Sequence, residues 1–350
     1  MVPNGETYAG MAHHKVHDTS WTEAPMLPHL DPRPRALYAP STAATLNLAA
    51  AAAQGARLFK PYDSAFSARL LKAAQKAWAA ARKYPDLLAP SIYFDGGGNY
   101  GDSDVSDEFY WAATELYLTS GDKTYLSIVQ KSPHWRDDVF TRGGHGAFDW
   151  ASVAGLARLH LALYGKGILP GKDWNEVKAS VIAAAQSLVA MQKMQPFGQM
   201  YHPENGRYDW GSNHLILQNM IVVSAAYDLD HRPEFLQSVR ESMDYILGRN
   251  VMNISYVTGY GSLYSKNQHS RWFARQLDDS LPNPPPGSLA GGPNSSLVDE
   301  ISRQKLKDCA PQQCYLDDIN AYGSNEMTIN WNAPLVYIAN FLADTAAGGP

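Results

Sequence analysis

With 350 residues the chain is long enough for one large hydrophobic core or for two domains of ordinary size. A net charge of -5, from 29 Lys plus Arg against 34 Asp plus Glu with no basic run, offers no stripe for a phosphate backbone. The strongest apolar stretches, such as residues 215–229, are too short and too interrupted by Gln, Asn and Ser to span a bilayer. Neither nucleic acid nor a membrane is therefore an expected partner.

The N-terminal residues 1–15 show no basic start followed by an apolar run, so no secretory signal is visible. Helical patterns then dominate. Residues 41–59 are alanine-rich and follow Pro40, and residues 63–83 have Asp63 placed to cap and Pro85 to stop them. Alanine at this density favours helix and lets neighbouring helices approach closely. Further helical segments fit at 104–119, 122–131, 150–164, 172–192, 211–229, 233–247 and 326–343. In the sixth of the nine, Val177, Val181, Ala184, Leu188 and Met191 recur at three and four residues. No alternating run of comparable length appears, so the pattern predicts an all-α protein of serial helical hairpins. No linker divides it, which favours one domain over residues 1–350.

The loops carry the unusual chemistry. Residues 85–103 hold three consecutive glycines, and 250–325 is long, weakly periodic and rich in Tyr, His and Arg. Within it Cys309 and Cys314 stand five residues apart beside Pro311, a spacing that suits a local disulfide or a free buried pair. Only 18% of residues are charged, whereas 9 Trp and 20 Tyr give the aromatic stock with which a protein stacks on neutral sugar rings.

Three clusters are candidates for function. Glu326 follows a Gly-Ser-Asn turn before strongly apolar positions, either as a first-turn acid serving the helix dipole or as a carboxyl group at the mouth of a helical bundle. In an aromatic, poorly hydrated cleft its pKa would rise until it became a usable general acid. His269 and Arg271 stand two apart in a segment rich in Gly and Tyr, so in extended backbone they face one side. Asp102, Asp104, Asp107 and Glu108 crowd the start of one helix, an unfavourable arrangement unless amides, a basic side chain or calcium relieves it. Trp210 and Trp150 introduce two different helical segments.

Several of these segments, in this order, resemble glycoside hydrolase family 9, the inverting endoglucanases and related cellulases: residues 41–59, 100–122, 209–229, 255–262 with His269 and Arg271, and 325–336. The resemblance covers nearly the whole chain and is strongest to the subgroup whose catalytic domain follows an immunoglobulin-like domain. It implies an (α/α)6 barrel of helical hairpins, here lacking its first helices. It implies a cellulase-type endo-β-1,4-glucanase in which Glu326 is the general acid, His269 and Arg271 contact sugar beside the cleavage point, and Trp150, Trp210, Tyr322 and Trp331 line the cleft. Trp331 stands where many members carry tyrosine. No cofactor is implied for the chemistry. A structural Ca2+ is implied, with Asp107 and Glu108 as carboxylate ligands, Ser103 and Asp104 as backbone ligands and Asp149 as a looser candidate.

One departure stands out. The family carries, upstream of the region matching residues 13–18, an Asp-Ala-Gly-Asp segment whose aspartates bind and deprotonate the attacking water, and no such sequence occurs in this chain. Asp18 stands too late in the pattern to replace it. The expectation is a partial catalytic domain, of doubtful hydrolytic activity by itself, acting on cellulose or another β-1,4-glucan. The alternative is a non-catalytic glucan-binding protein. A lyase acting on uronates fits least, since the positive residues it needs are limited to Arg271 and a few others. Secretion is expected because the substrate is insoluble.

Overall fold

The computed structural model describes residues 1–90, 96–140 and 147–348. Part of the glycine-bearing loop, residues 91–95, lies outside the described residues. Eleven α-helices occur among those described, and the fold class is all-α as the periodicity predicts. None of these helices is long and apolar enough to cross a membrane. The chain clusters into two compact units, the first holding Met1–Thr22, Pro32–Val139 and Phe148–Lys178, the second Glu23–Asp31, Phe140–Ala147 and Ala179–Pro350. Helix α6 (Gly171–Lys193) gives its first turns to the first unit and its remainder to the second.

The first unit opens with a short antiparallel hairpin, β1 (Val16–Asp18) against β2 (Arg35–Leu37), with Val16 opposite Leu37. Three-residue strands are too short to leave an alternating signal, which is why the sequence pattern missed them. Helices α1 (Thr42–Phe59), α2 (Ser64–Lys83), α3 (Ser106–Ser120), α4 (Lys123–Lys131) and α5 (Ala154–Tyr164) follow. Ser41, Asp63 and Asp122 cap three of them by accepting from Ala44, Phe66 and Thr124 amides. Alanine sets the α1–α2 packing: Ala49, Ala53 and Ala56 on one helix and Ala74, Ala77 and Ala81 on the other are buried. Helix α5 starts four residues later than the pattern suggests, because Asp149 and Ser152 form an antiparallel bridge that turns the chain first.

The second unit contains α7 (Ser212–Asp230), α8 (Pro233–Ile246), α9 (Glu300–Lys305), α10 (Tyr322–Asn325) and α11 (Ile329–Ala346). Residues 250–325 are mostly irregular and are pinned by bridges pairing Ser255 with Tyr264, Val257 with Leu289 and His269 with Glu326. The last helix corrects the expectation that it starts at residue 326. Thr328 is its N-cap, accepting from the Trp331 amide, and Glu326 sits before it in extended backbone with φ -65° and ψ 148°. Neither Ser324 nor Asn325 caps α11, and Glu326 is not a first-turn acid, because both Asn325 and Ser324 belong to the separate short helix α10. Cys309 and Cys314 form a disulfide, which resolves the two alternatives left by their spacing.

One buried charge cluster ties α1, α3 and α5 together. Glu115 is fully buried, and its carboxylate accepts from Arg57 Nη2 at 2.8 Å and from His160 Nδ1. Burial by itself would raise the Glu115 pKa, but the His160 and Arg57 partners outweigh it and hold the group below its ordinary value. Removing one partner from such a group leaves a buried charge uncompensated, so Arg57→Met is expected to cost about 3–5 kcal/mol in urea unfolding. The lowered pKa fixes the sign of the pH effect: the contribution of this cluster is complete above the ordinary glutamate value and disappears as the pH falls through the depressed one. Equal urea midpoints for R57M and the unsubstituted protein at neutral pH would contradict this assignment.

Candidate active site

The geometry around Glu326 is set by backbone before side chains enter. Residues 324–326 run between two other segments: Gly291 and Gly292 amides donate to the Glu326 and Ser324 carbonyls, each at 2.9 Å, while the His269 amide donates to the Asn325 carbonyl at 2.8 Å. The glycines allow this approach. A Cβ on Gly291 would lie 2.9 Å from the Trp331 ring, and one on Gly292, whose φ is +98°, would lie 2.5 Å from the Asn213 side chain.

Asn325 locks the arrangement from beneath. It is fully buried, its Nδ2 donates to the Asn267 carbonyl at 2.6 Å, and its Oδ1 accepts from the Tyr315 hydroxyl at 2.7 Å and the Ser265 hydroxyl at 3.2 Å. Asp317 fixes the opposing loop by accepting from the Lys266 and Asn267 amides. Asp299 caps α9 and also accepts from the Gly323 amide at 3.0 Å, holding α10. Sequence reasoning missed Asn325, Asp317 and Asp299, because their partners lie in separate segments and no local pattern marks them.

Above this frame, Trp210 Nε1 donates to Glu326 Oε2 at 3.1 Å. That leaves Oε1 as the oxygen to carry a proton. Burial raises the Glu326 pKa above the ordinary glutamate value, and the Trp210 hydrogen bond and the Arg271 charge pull it partway back. A carboxyl group that holds its proton to higher pH yet remains able to release it suits general acid catalysis.

His269 Nδ1 faces the Ile319 carbonyl at 2.6 Å, so the ring donates there and turns Nε2 away from that bond. Burial lowers the His269 pKa, the Ile319 carbonyl raises it, Arg271 lowers it and Asp299 raises it, with a net fall. A neutral His269 therefore presents an acceptor at Nε2. Tyr322 lies between the two, its ring 5.7 Å from His269 and 5.9 Å from Trp210, centroid to centroid. Tyr322 and Trp210 are 37% and 41% exposed, so both present ring surface to a ligand.

Trp331 is placed differently from the other aromatics. It is buried, stacked on His214 at 5.6 Å, and forms the floor beneath Gly211 and Gly291. Burial drives the His214 pKa down to about 4, so the ring it supports is neutral. Trp150 is in the first unit, half-exposed and edge-on to Tyr100 at 5.5 Å, in a cavity shared with His14, Asn47, Asp102 and Glu108.

The acidic cluster also belongs to the first unit. Asp107 and Glu108 are buried at the start of α3, Asp107 Oδ2 accepts from the Val153 amide at 2.8 Å, and Asp149 Oδ1 accepts from the Ala151 amide. Helix α3 and the turn bearing Asp149 are thereby joined. Asp104 and Asp102 make local turns, with Asp104 Oδ1 accepting from Ser106 and Asp102 Oδ1 from Asp104. Ser103 occupies the same bend. Burial, then Asp107 and Asp102, push Glu108 well above the ordinary glutamate value, while Glu108 Oε2 and Asp102 Oδ2 are buried without a hydrogen-bond partner. Among the described residues no three His, Cys, Asp or Glu side chains converge closely enough to hold a metal by themselves. Asp18, meanwhile, accepts from Thr22 and lies 3.6 Å from Arg35, a structural pairing within the β1–β2 hairpin.

Comparison with known proteins places this geometry in a family. Residues 2–339 match the profile of glycosyl hydrolase family 9. The chain is 52% identical to Endoglucanase C of Cellulomonas fimi, covering 100% of this chain and 32% of that protein. It is 42% identical to the cellulose 1,4-beta-cellobiosidase of Acetivibrio thermocellus, covering 95% and 39% respectively. Among solved structures, a thermostable endoglucanase of Alicyclobacillus acidocaldarius aligns with a TM-score of 0.85 at 27% identity, over 95% of this chain and 61% of that one. A family 9 glycoside hydrolase of Bacteroides ovatus aligns with a TM-score of 0.84 at 29% identity, over 99% and 60%. The chain thus spans about a third of the length of the first two relatives and about three fifths of the solved chains. With its helical-hairpin architecture and its Asn-Glu turn held between two loops, the chain belongs to glycosyl hydrolase family 9.

Proposed function

We propose that the chain supplies the acid side of an endo-β-1,4-glucanase that hydrolyses cellulose or a related β-1,4-glucan with inversion. The observation that carries this reading is the half-buried Glu326 carboxyl group, elevated in pKa and hydrogen-bonded on one oxygen by Trp210. Glu326 protonates the leaving glycosidic oxygen from Oε1. His269 Nε2 and Arg271 contact sugar hydroxyls beside it, and Trp210 and Tyr322 stack on the pyranose rings. Inversion requires a water activated from the opposite face, across roughly 6.5–9.5 Å between the two carboxyl groups. The Asp-Ala-Gly-Asp segment that performs this step in the family does not occur in the 350 residues. Hydrolysis by this chain is accordingly weak, and glucan binding is its more robust property. Secretion follows in this reading from an insoluble polymeric substrate, and an immunoglobulin-like domain upstream belongs to the same proposal.

A second reading, a non-catalytic glucan-binding protein, rests on that missing segment. One experiment separates the two: sugar release from cellohexaose with and without azide, an anionic nucleophile that needs no base, run beside Glu326→Gln. The glucanase reading expects azide-stimulated release, and a loss of about 10²–10⁴ in E326Q with little change in cellohexaose affinity. Binding without any Glu326-dependent release selects the second reading, and undiminished release by E326Q overturns the first.

Trp210→Phe tests the role of the indole. Its N–H stabilises the carboxylate form, so removing it raises the Glu326 pKa further. Because an acid must be protonated to act, the high-pH limb of azide-supported release should move upward in W210F. A downward move would show that Trp210 does not act through this hydrogen bond.

We also propose a structural Ca2+ with Asp107 and Glu108 as its carboxylate ligands, backbone oxygens at Ser103 and Asp104, and Asp149 as a looser candidate. Calcium accepts six to eight oxygen ligands including carbonyls, so a set with few carboxylates suffices. The unpartnered Glu108 Oε2 supports this reading. Without a cation, the raised Glu108 pKa makes its contribution to stability decline as pH climbs above the ordinary glutamate value. Added calcium should therefore raise the melting temperature more at pH 8 than at pH 5 and release a proton on binding. Equal gains at both pH values, or no gain, would remove the site.

A further inference from the structure

A cavity of about 660 Å3 in the Glu326 unit is lined by residues on either side of His269 and Arg271 in the sequence. Its wall includes Tyr264, Lys266, Asn267, Arg275 and Gln276, faced by the proline run at 284–286. Two of these residues also frame the candidate active site. The Asn267 carbonyl accepts from Asn325 Nδ2 at 2.6 Å, and Gln276 Oε1 accepts from the Ile319 amide at 2.8 Å, while the Ile319 carbonyl orients His269.

The lining combines an aromatic ring, a rigid apolar wall, side-chain amides and two cations. The first three suit a sugar; the cations specify more. Lys266 and Arg275 are exposed, and among the described residues neither forms an ion pair. Lys266 Nζ instead stands 5.4 Å from the centre of the Tyr264 ring. Asp278, Asp279, Asp317 and Asp318 are near in sequence to these segments or hydrogen-bonded to them, but none of them lines the cavity; Asp317 accepts from the Lys266 and Asn267 amides, and Asp278 from the Ser280 amide and hydroxyl. The lining thus carries two positive side chains and no carboxylate, beside an aromatic ring. We propose that the cavity binds a carboxylate-bearing sugar, a glucuronate unit of a β-1,4-linked polysaccharide. Lys266 and Arg275 pair with the carboxylate, Tyr264 packs on the ring, and Asn267 and Gln276 hydrogen-bond its hydroxyls. The polysaccharide context rests on the proposed glucanase reading, whereas the recognition of the uronate rests on the cavity alone.

The test follows the Arg275 side-chain Nε–H resonance of the whole chain during titration with methyl β-glucuronide and with methyl β-glucoside. The glucuronide should shift it saturably and the glucoside should not. Lys266→Gln should weaken the glucuronide by roughly fivefold, as loss of one exposed charge contact implies, and added salt should weaken it too. Cellohexaose carrying one C6-oxidised residue should then bind more tightly than cellohexaose, and the double variant K266Q/R275Q should lose that advantage while keeping cellohexaose affinity. Equal response of the Arg275 resonance to the two methyl glycosides, or a glucuronide response of that resonance unchanged in K266Q, overturns the proposal. A glucuronide response without any cellohexaose binding would keep the cavity and overturn the glucan reading instead.

Discussion

The buried side chain of Asn325 is the constraint on which the Glu326 site depends. An amide with no access to water must satisfy its donors and acceptor within the protein or cost the fold several kilocalories. Asn325 does so by drawing in Asn267, Ser265 and Tyr315, and its main chain pairs with His269. Tyr315 is 10 residues away, but Asn267 and Ser265 are 58 and 60 residues away, so satisfying one amide fixes where the loop bearing His269 and Arg271 must run. Glu326 is the next residue, and its position is a consequence of that closure.

Electrostatics then turns a placed carboxyl group into a usable one. Burial favours the neutral acid, and a single indole N–H with one guanidinium nearby favours the anion without winning. If either influence dominated, the group would hold its proton too tightly or lose it too early. His269 shows the complementary case, in which burial and Arg271 keep the ring neutral although a carbonyl anchors its Nδ1. The arrangement thus presents an acid and a neutral hydrogen-bonding ring side by side, framed by two exposed aromatic faces.

Much of this was legible in the sequence, and the rest was hidden for identifiable reasons. Nine helices announced themselves through alanine content, capping residues and three-to-four spacing, as Asp63 and the buried alanines of α1 and α2 illustrate. Glu326 and the His269–Arg271 pair stood out because polar chemistry was set among Gly and aromatic residues. The start of α11 did not, since Asn325 and Thr328 are both good caps and only tertiary pairing shows that Thr328 serves α11. Trp331 invited reading as a sugar platform, yet its ring is committed to His214 beneath the glycines. Short elements such as the β1–β2 pair, α9 and α10 carry too few residues to show a period at all.

Helix α3 sharpens the argument about the first unit, because it contains two buried glutamates seven residues apart and therefore near the same face. Glu115 is met by Arg57 and His160, and its pKa falls. Glu108 is met by Asp107 and Asp102, and its pKa rises, with one oxygen left unpartnered. A single helix thus shows what the fold does when it supplies a buried carboxylate with cationic side chains, and what results when it supplies only more carboxylates. Protonation neutralises Glu108 and gives it a hydroxyl to share with Asp107 or Asp102, but it brings no cation to the remaining carboxylates. A divalent cation would instead meet the clustered carboxylates together and occupy the Glu108 oxygen. That is why the proposed calcium follows from the contrast between these two residues as well as from the residue types around them.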